Sequence, residues 1–316
     1  MIRIGSRGSA LALWQAEHVK ARLAEAHAGL DVTIEIIQTT GDKITDVPLS
    51  KIGDKGLFTK ELDRALLDRR VHVAVHSLKD VPTRIEAGLA LVAVGKREDP
   101  SDALVAAPGV PGTLMDLPAG SRVGTSSLRR RAQLLAVRPD VVVTDLRGNL
   151  DTRLAAVRDG LYDAIILALA GMKRLGRAAE ATDVLHGTWL PAAGQGALGI
   201  ICRADDAQTQ SLLRVLDDAD THAATAAERA LLRELEGGCQ IPIGALAQVS
   251  GDDLFLQALV ASVNGTRVVR GERSGKRTDA ESIGSSLAHE LLERGAGAIL
   301  AELRAANPPV PEPPAP

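Results

Sequence analysis

VGTSSLRRRAQLLAVRPDVVVTDLRGNLDTRL, residues 123–154, reads twice over as a short apolar run, a polar turn and a helix. The pattern extends outward in both directions. Upstream come IRIG, the amphipathic SALALWQAEHVKARLAEA, then DVTIEIIQ, LFTKELDRALLDR, VHVAVHS, LALVAVG and DALVAA; downstream comes DAIILALAG. Apolar runs of strand length alternating with helical periods predict parallel sheets with helices on both faces. From about residue 218 the order changes to one helix, then ALAQVS, LFLQALVAS and TRVVRGER, then a helical DAESIGSSLAHELLERG. That order predicts a smaller α+β unit. The tail NPPVPEPPAP is too rich in proline to continue either ladder or helix, and disorder is expected there.

Composition removes several classes of function. Aromatic residues are 2% of the 316, too few for base-stacking platforms, and the net charge of −3 argues against a general nucleic-acid or anionic-membrane surface. No apolar run is long enough to span a bilayer, and MIRIGSRGSALALWQ lacks the parts of a signal peptide. Two cysteines without partner spacing predict a reducing compartment and no disulfide framework. The expectation is a soluble cytoplasmic protein.

Three strand-to-helix junctions share one design. Arg7 and Ser9 precede a helix at Ala10; Thr125, Ser126 and Ser127 precede Arg129, Arg130 and Arg131; Arg147 and Asn149 precede a helix carrying Arg153. Helix N-termini present unpaired N–H groups and a positive dipole end, which attract anions. Arginine in a first turn opposes that dipole, so its presence fits an anion lying between the two. Ser and Asn are also ordinary N-caps, so any one junction alone is ambiguous. Repetition at equivalent sheet ends points to a small molecule bearing several carboxylates or phosphates, held between two domains.

A fourth strand end is VHVAVHSLKDVP, residues 71–82. His72 and His76 share a strand face but stand ~13 Å apart, too far to share a metal, and no metal site is predicted. Lys79 and Asp80 follow, and Pro82 keeps Val81 extended. The pair reads either as a surface ion pair or as a carboxylate aimed into the cleft. In ERALLRELEGGCQIPIG, residues 228–244, a helix stops at Gly237 and Cys239 follows. The negative end of that helix raises a thiol pKa, so Cys239 is a poor turnover nucleophile, though its glycines leave room for a bulky attachment. Cys202, in LGIICR, reads as a core residue. TTGDKITDVPLSKIGDKG, residues 39–56, shows no period and reads as a functional lid or a floppy insertion.

From Arg3 to about Leu303 the chain resembles the porphobilinogen deaminase family. The resemblance rests on RGSALALWQ, TTGDK, KIGDKGLFTKELD, VHSLKDVPT, KREDPSDAL, VGTSSLRRRAQL, LRGNLDTRL, YDAIILALAGMKRLG, PAAGQGALGI and ERALLRELEGGCQIPIG, in that order. It implies two α/β domains resembling periplasmic binding proteins, with mixed, mainly parallel sheets, and a smaller α+β C-terminal domain. The implied bounds are 1–98 with 197–215, then 99–196, then 218–305, with 306–316 as a disordered tail.

The same resemblance implies a transferase that joins four porphobilinogen molecules head to tail into hydroxymethylbilane, releasing ammonia, in tetrapyrrole (heme and chlorophyll) biosynthesis. It implies a dipyrromethane cofactor on Cys239 through a thioether, retained as primer, and a monomer whose partner is porphobilinogen alone. Asp80 would be the catalytic carboxylate. Lys79, Asp80, Thr125, Ser126, Ser127, Arg129, Arg130, Arg147 and Gly148 would contact the cofactor. Arg7, Ser9, Arg129, Arg130, Arg147, Arg153, Arg174 and Gln195 would contact substrate, and Lys51, Lys55, Phe58 and Thr59 match the lid and its border. A non-catalytic anion-binding or ligand-sensing protein shares the two-domain architecture. The absent DNA-binding helix pair and the EGGCQIPIG stretch speak against it. A cysteine-nucleophile hydrolase is the other rival, and Cys239 has no evident His partner for it.

Overall fold

The computed structural model describes residues 1–39, 59–235 and 241–306. Strand β1 (Ile2–Ser6) pairs in parallel with β2 (Val32–Ile36) and with β3 (Val73–Ser77). Helix α1 (Ala10–Ala26) buries Ala16, Val19 and Leu23, spaced three to four residues apart, against Val73 and Val75. Helix α2 (Lys60–Leu67) buries Leu62, Ala65 and Leu66 on the opposite face, against Val71 and Ala74. Within β3 the alternation of Val73 and Val75 with Ala74 thus feeds two cores from one strand, and Val71, just before the strand, packs in the same core as Ala74. Strand β4 (Leu89–Val94) lies at the sheet's other edge.

A second sheet repeats the plan with β5 (Asp102–Ala106), β6 (Arg122–Gly124), β7 (Val142–Thr144), β8 (Ala164–Ala168) and β9 (Asp183–Leu185). Its helices are α3 (Leu128–Val137), α4 (Leu150–Arg158) and α5 (Leu169–Arg174). The chain then returns as β10 (Leu198–Arg203) to the first sheet. The orders are β2-β1-β3-β10-β4 and β7-β6-β8-β5-β9.

In each sheet four strands run one way and one runs against them, β10 in the first and β5 in the second. The resemblance implied mixed, mainly parallel sheets, as observed; strand–helix alternation alone predicted parallel sheets and gave no sign of the two reversed strands. Each enters its sheet straight from the other domain, so no helix-connected crossover fixes its direction. The chain therefore crosses twice, through residues 95–101 and 186–197.

Helix α6 (Ala207–Leu213) leads to the third unit: α7 (Ala219–Glu234), then β11 (Ile243–Ser250), β12 (Asp253–Ala261) and β13 (Val268–Lys276) in an antiparallel meander, then α8 (Ala280–Leu291) and α9 (Gly297–Ala306). Leu231, Leu254, Leu256, Leu287 and Leu291 form its core. Gly284 lets α8 lie against α7, since a Cβ there would stand 2.2 Å from the Ala227 carbonyl oxygen. Cys202 is fully buried in β10, as the apolar run around it predicted, and burial pushes its thiol up to about 11.

The third unit is clamped to both crossovers by one carboxylate. Glu228, on α7 and fully buried, accepts from Arg97 Nη1 at 2.6 Å and Nη2 at 3.2 Å, and from the Gly194 and Ala247 backbone N–H groups at 2.7 and 2.8 Å. Arg97 sits on the first crossover and also donates through Nε to the Gln195 carbonyl on the second, at 2.8 Å. Removing one partner of a buried ion pair strands the other charge, at a cost of about 3–5 kcal/mol. Glu228→Ala should lower unfolding free energy by about that amount in guanidinium titrations. A loss under about 1 kcal/mol contradicts the clamp.

Candidate active site

The polar turns stand at the carboxyl ends of parallel strands, the edge where open α/β sheets bind ligands. On the first sheet, Arg7 and Ser9 follow β1, and Lys79 and Asp80 follow β3, its parallel neighbour. On the second, Thr125–Ser127 follow β6 and Arg147–Asn149 follow β7. All three helix starts are capped as their residue types predict. Ser9 accepts from Ala12 N at 3.3 Å, Ser127 from Arg130 N at 3.4 Å and Asn149 from Thr152 N at 2.9 Å.

The loops are fixed to one another before any ligand is considered. Ser126 Oγ donates to the Leu146 carbonyl and accepts from the Leu146 N–H, both at 3.0 Å, joining the turns after β6 and β7. Thr125 is buried, and its Oγ1 accepts from Ser127 N at 3.3 Å. Gly148 has φ +103°, which side-chain-bearing residues rarely adopt, and its carbonyl accepts from Arg153 Nε at 2.8 Å.

The Asp80 turn is held from two sides. Leu78, 1% exposed, packs beneath Gly194 and Gly199, where added Cβ atoms would each meet it at 3.0 Å. Its N–H donates to the Ala197 carbonyl at 3.0 Å. On the other side Arg229, from α7, donates to the Val81 and Pro82 carbonyls at 3.0 and 2.7 Å. Val81 is extended (φ −85°, ψ 127°), as a residue before proline must be. Asp80 is left exposed, in a cleft lined also by Arg7, Ser9, Gln15, His76 and Ser77.

Arg129 and Arg130 point inward. Both are more than nine-tenths buried and share the carboxylate of Asp102, which is fully buried at the start of β5. Arg129 donates to it from Nη1 at 2.6 Å and Nη2 at 3.3 Å, and Arg130 from Nε at 3.0 Å and Nη2 at 2.7 Å. Trp189 Nε1 and Gln195 Nε2 each add a donor at 2.9 Å. Burial alone would raise the Asp102 carboxyl; the two guanidiniums outweigh it and hold it far below the usual carboxylate range. Gln195, expected at the substrate, turns its side chain to Asp102, to the Pro100 carbonyl at 2.7 Å and to Lys79 Nζ, which donates at 3.3 Å. Burial draws the Lys79 ammonium down to about 8, with Asp80 pulling the other way.

The two sheet edges meet. Arg153 is brought down to about 10 by burial and then by the neighbouring cations Arg130 and Arg147, while Asp80, from the other sheet, favours its charge. Arg174, at the end of α5, donates to the Gly196 carbonyl at 2.6 Å and lies 5.8 Å from the Trp14 ring on α1. Thr59 is buried at the start of α2. Lys51, Lys55, Phe58 and Cys239 lie outside the described residues, as does the tail beyond residue 306. Among the described residues no group of three His, Cys, Asp or Glu could hold a metal ion, and no helix is long and apolar enough to cross a membrane.

Local sequence gave no sign of Asp102, Trp189, Glu228 or His76 as site-forming residues. Asp102 reaches partners 27 to 93 residues away, beyond any periodic signal. His76 stood in a quoted motif, but its environment was invisible: it is 6% exposed and its Nε2 has no hydrogen-bond partner.

Fold and site together define a protein of two α/β domains and a smaller third unit, with arginine-bearing turns at the carboxyl ends of its parallel strands. Residues 2–211 match the family model described as "Porphobilinogen deaminase, dipyromethane cofactor binding domain", and residues 223–293 match "Porphobilinogen deaminase, C-terminal domain". The chain belongs to the porphobilinogen deaminase family. Its activity is that of a hydroxymethylbilane synthase, which polymerises porphobilinogen in tetrapyrrole biosynthesis. Solved structures similar to it include a putative methionine-binding lipoprotein from Bacillus subtilis (13% identity over 70% of this chain and 91% of that one, TM-score 0.42). An arginine-specific periplasmic binding protein from Salmonella typhimurium is 14% identical over 68% and 91%, with TM-score 0.39. The B. pertussis BvgS periplasmic domain is 15% identical over 68% of this chain but only 39% of its own, also at 0.39.

His76 makes the first-sheet edge sensitive to acid. Burial, then Arg7, lowers its pKa from 6.5 to about 4. The folded state keeps it neutral while the unfolded chain takes up a proton below 6.5, so stability falls as pH drops from about 6.5 to 4. The full loss is on the order of 3 kcal/mol. His76→Gln should flatten that segment of the Tm-against-pH curve; a wild-type slope in the variant contradicts the assignment.

Proposed function

We propose that the chain joins four porphobilinogen molecules head to tail into hydroxymethylbilane, releasing one ammonia per unit, with a dipyrromethane held on Cys239 by a thioether. The observation that carries this reading is that Asp80, on the first sheet, stands near enough to Arg153, on the second, to favour its charge, with Arg130 and Arg147 as that guanidinium's neighbours. On this reading residues 1–98 with 197–215 supply the carboxylate side of the cleft, residues 99–196 the arginine side, and residues 218–305 the attachment loop.

The residues fit a polycarboxylate pyrrole chain. The cleft carries cations in excess of its carboxylates, and His76 Nε2 is a buried polar atom without a protein partner. Thr125, Ser126, Ser127, Arg129, Arg130, Arg147, Gly148 and Lys79 would hold the cofactor; Arg7, Ser9, Arg153 and Arg174 would receive substrate, with the buried Gln195 bonded behind them to Asp102 and Lys79. When bound, the dipyrromethane supplies the free pyrrole carbon to which the first unit is joined. Arginine suits the acetate and propionate groups through paired hydrogen bonds that a lysine ammonium lacks.

Asp80 then has a defined task. When porphobilinogen loses its amine as ammonia, the methylene carbon and pyrrole ring share a positive charge. A fixed carboxylate beside the pyrrole N–H lowers the barrier by stabilising that charge where it develops. The Leu78 anchor and the Arg229 clamp hold the backbone of the turn that carries the carboxylate.

Asp80→Asn retains shape and removes the charge. Measured on protein whose Cys239 is already loaded, turnover should fall on the order of 10²–10³, roughly 3–4 kcal/mol of barrier, with KM nearly unchanged. An exposed carboxylate merely paired with Lys79 would cost under ~1 kcal/mol of stability and leave turnover intact. Near-normal single-turnover rates would remove Asp80 from catalysis.

A further inference from the structure

We infer that Asp102 is a positioning residue: it sets the Arg129 and Arg130 guanidiniums for the carboxylates of the growing chain and links them to the Asp80 turn through Gln195 and Lys79. This rests on the function proposed above and extends it to a buried group that need never touch substrate.

The first observation is stoichiometric. One buried carboxylate serves two buried guanidiniums, and Trp189 and Gln195 donate to the same two oxygens. The cluster carries net positive charge in a place where charge is costly. Buried ion pairs contribute little stability compared with apolar packing, and an unbalanced one contributes less. A 2:1 cluster is therefore poor as a stability device and well suited to await an anion.

The second is positional. Asp102 is the first residue of β5, reached directly from the first crossover, whereas Trp189 and Gln195 lie on the second. Gln195 accepts from Lys79, the neighbour of Asp80 on the first sheet. One chain of contacts thus runs from the carboxylate turn, across both crossovers, to the arginines of the second sheet. Backbone carbonyls fix the remaining orientation, with Arg129 Nη1 donating to Leu190 O at 2.8 Å and Arg130 Nη1 to Ile166 O at 2.9 Å. Only rotations that keep the Asp102 bonds remain open to either side chain.

The test is Asp102→Asn, which keeps the shape and removes the charge. In folded variant protein, KM for porphobilinogen should rise at least tenfold while kcat falls less than threefold. Intact masses taken after limiting porphobilinogen should shift toward the shortest covalent complexes. An Asp102 with a purely structural role would lower Tm and leave the folded protein's KM and mass ladder at wild-type values, which overturns the proposal. If Asp102→Asn does not accumulate folded, Trp189→Phe removes a single donor to the carboxylate while keeping an aromatic ring. It should raise KM two- to fivefold, and an unchanged KM overturns the proposal equally. The two readings separate in the wild-type control: no adduct there refutes the covalent primer, whereas the KM shift judges Asp102 by itself.

Discussion

The chain must cross between its two α/β domains twice, and buried carboxylates hold the crossing segments in place. Asp102 gathers Arg129, Arg130, Trp189 and Gln195; Glu228 gathers Arg97 and the Gly194 and Ala247 amides. Ion pairs of this kind add little to stability when intact and cost much when broken. What they provide is direction, because a carboxylate bonded to a planar guanidinium fixes orientation as well as distance. The cleft inherits its geometry from these two groups.

The Asp80 turn shows how local chemistry and distant packing share the work. SLKDVP is readable residue by residue: an apolar anchor, two charged residues and a proline that holds the next residue extended. The sequence could not tell whether Asp80 faced water or a cleft. That was decided by Gly194 and Gly199, which make room for Leu78, and by Arg229, which reaches in from the third unit. Parts of the chain more than a hundred residues apart thus aim one carboxylate.

Legibility followed the range of the interaction. Helix caps at Ser9, Ser127 and Asn149 act over three residues and were apparent from residue type, as were the amphipathic faces of α1 and α2. The reversed strands β5 and β10 were not, because their direction depends on which domain the chain arrives from. The arginines of SLRRRAQL stood out in the sequence by their place in a first helical turn, but Asp102 was not legible as the counter-ion of Arg129 and Arg130. Nor could sequence separate Gln195 at the ligand from Gln195 bonded to Asp102 and Lys79.

The central claim is that an arginine-lined cleft works on a pyrrole chain anchored at Cys239, and mass spectrometry tests it most directly. Purified protein, reduced and digested, should yield a Cys239 peptide heavier by one dipyrromethane, stable to thiols as a thioether is and a disulfide adduct is not. The Cys202 peptide, from a buried strand whose thiol is pushed up to about 11, should be unmodified. An adduct on Cys202, or active protein without any adduct on Cys239, would contradict the account.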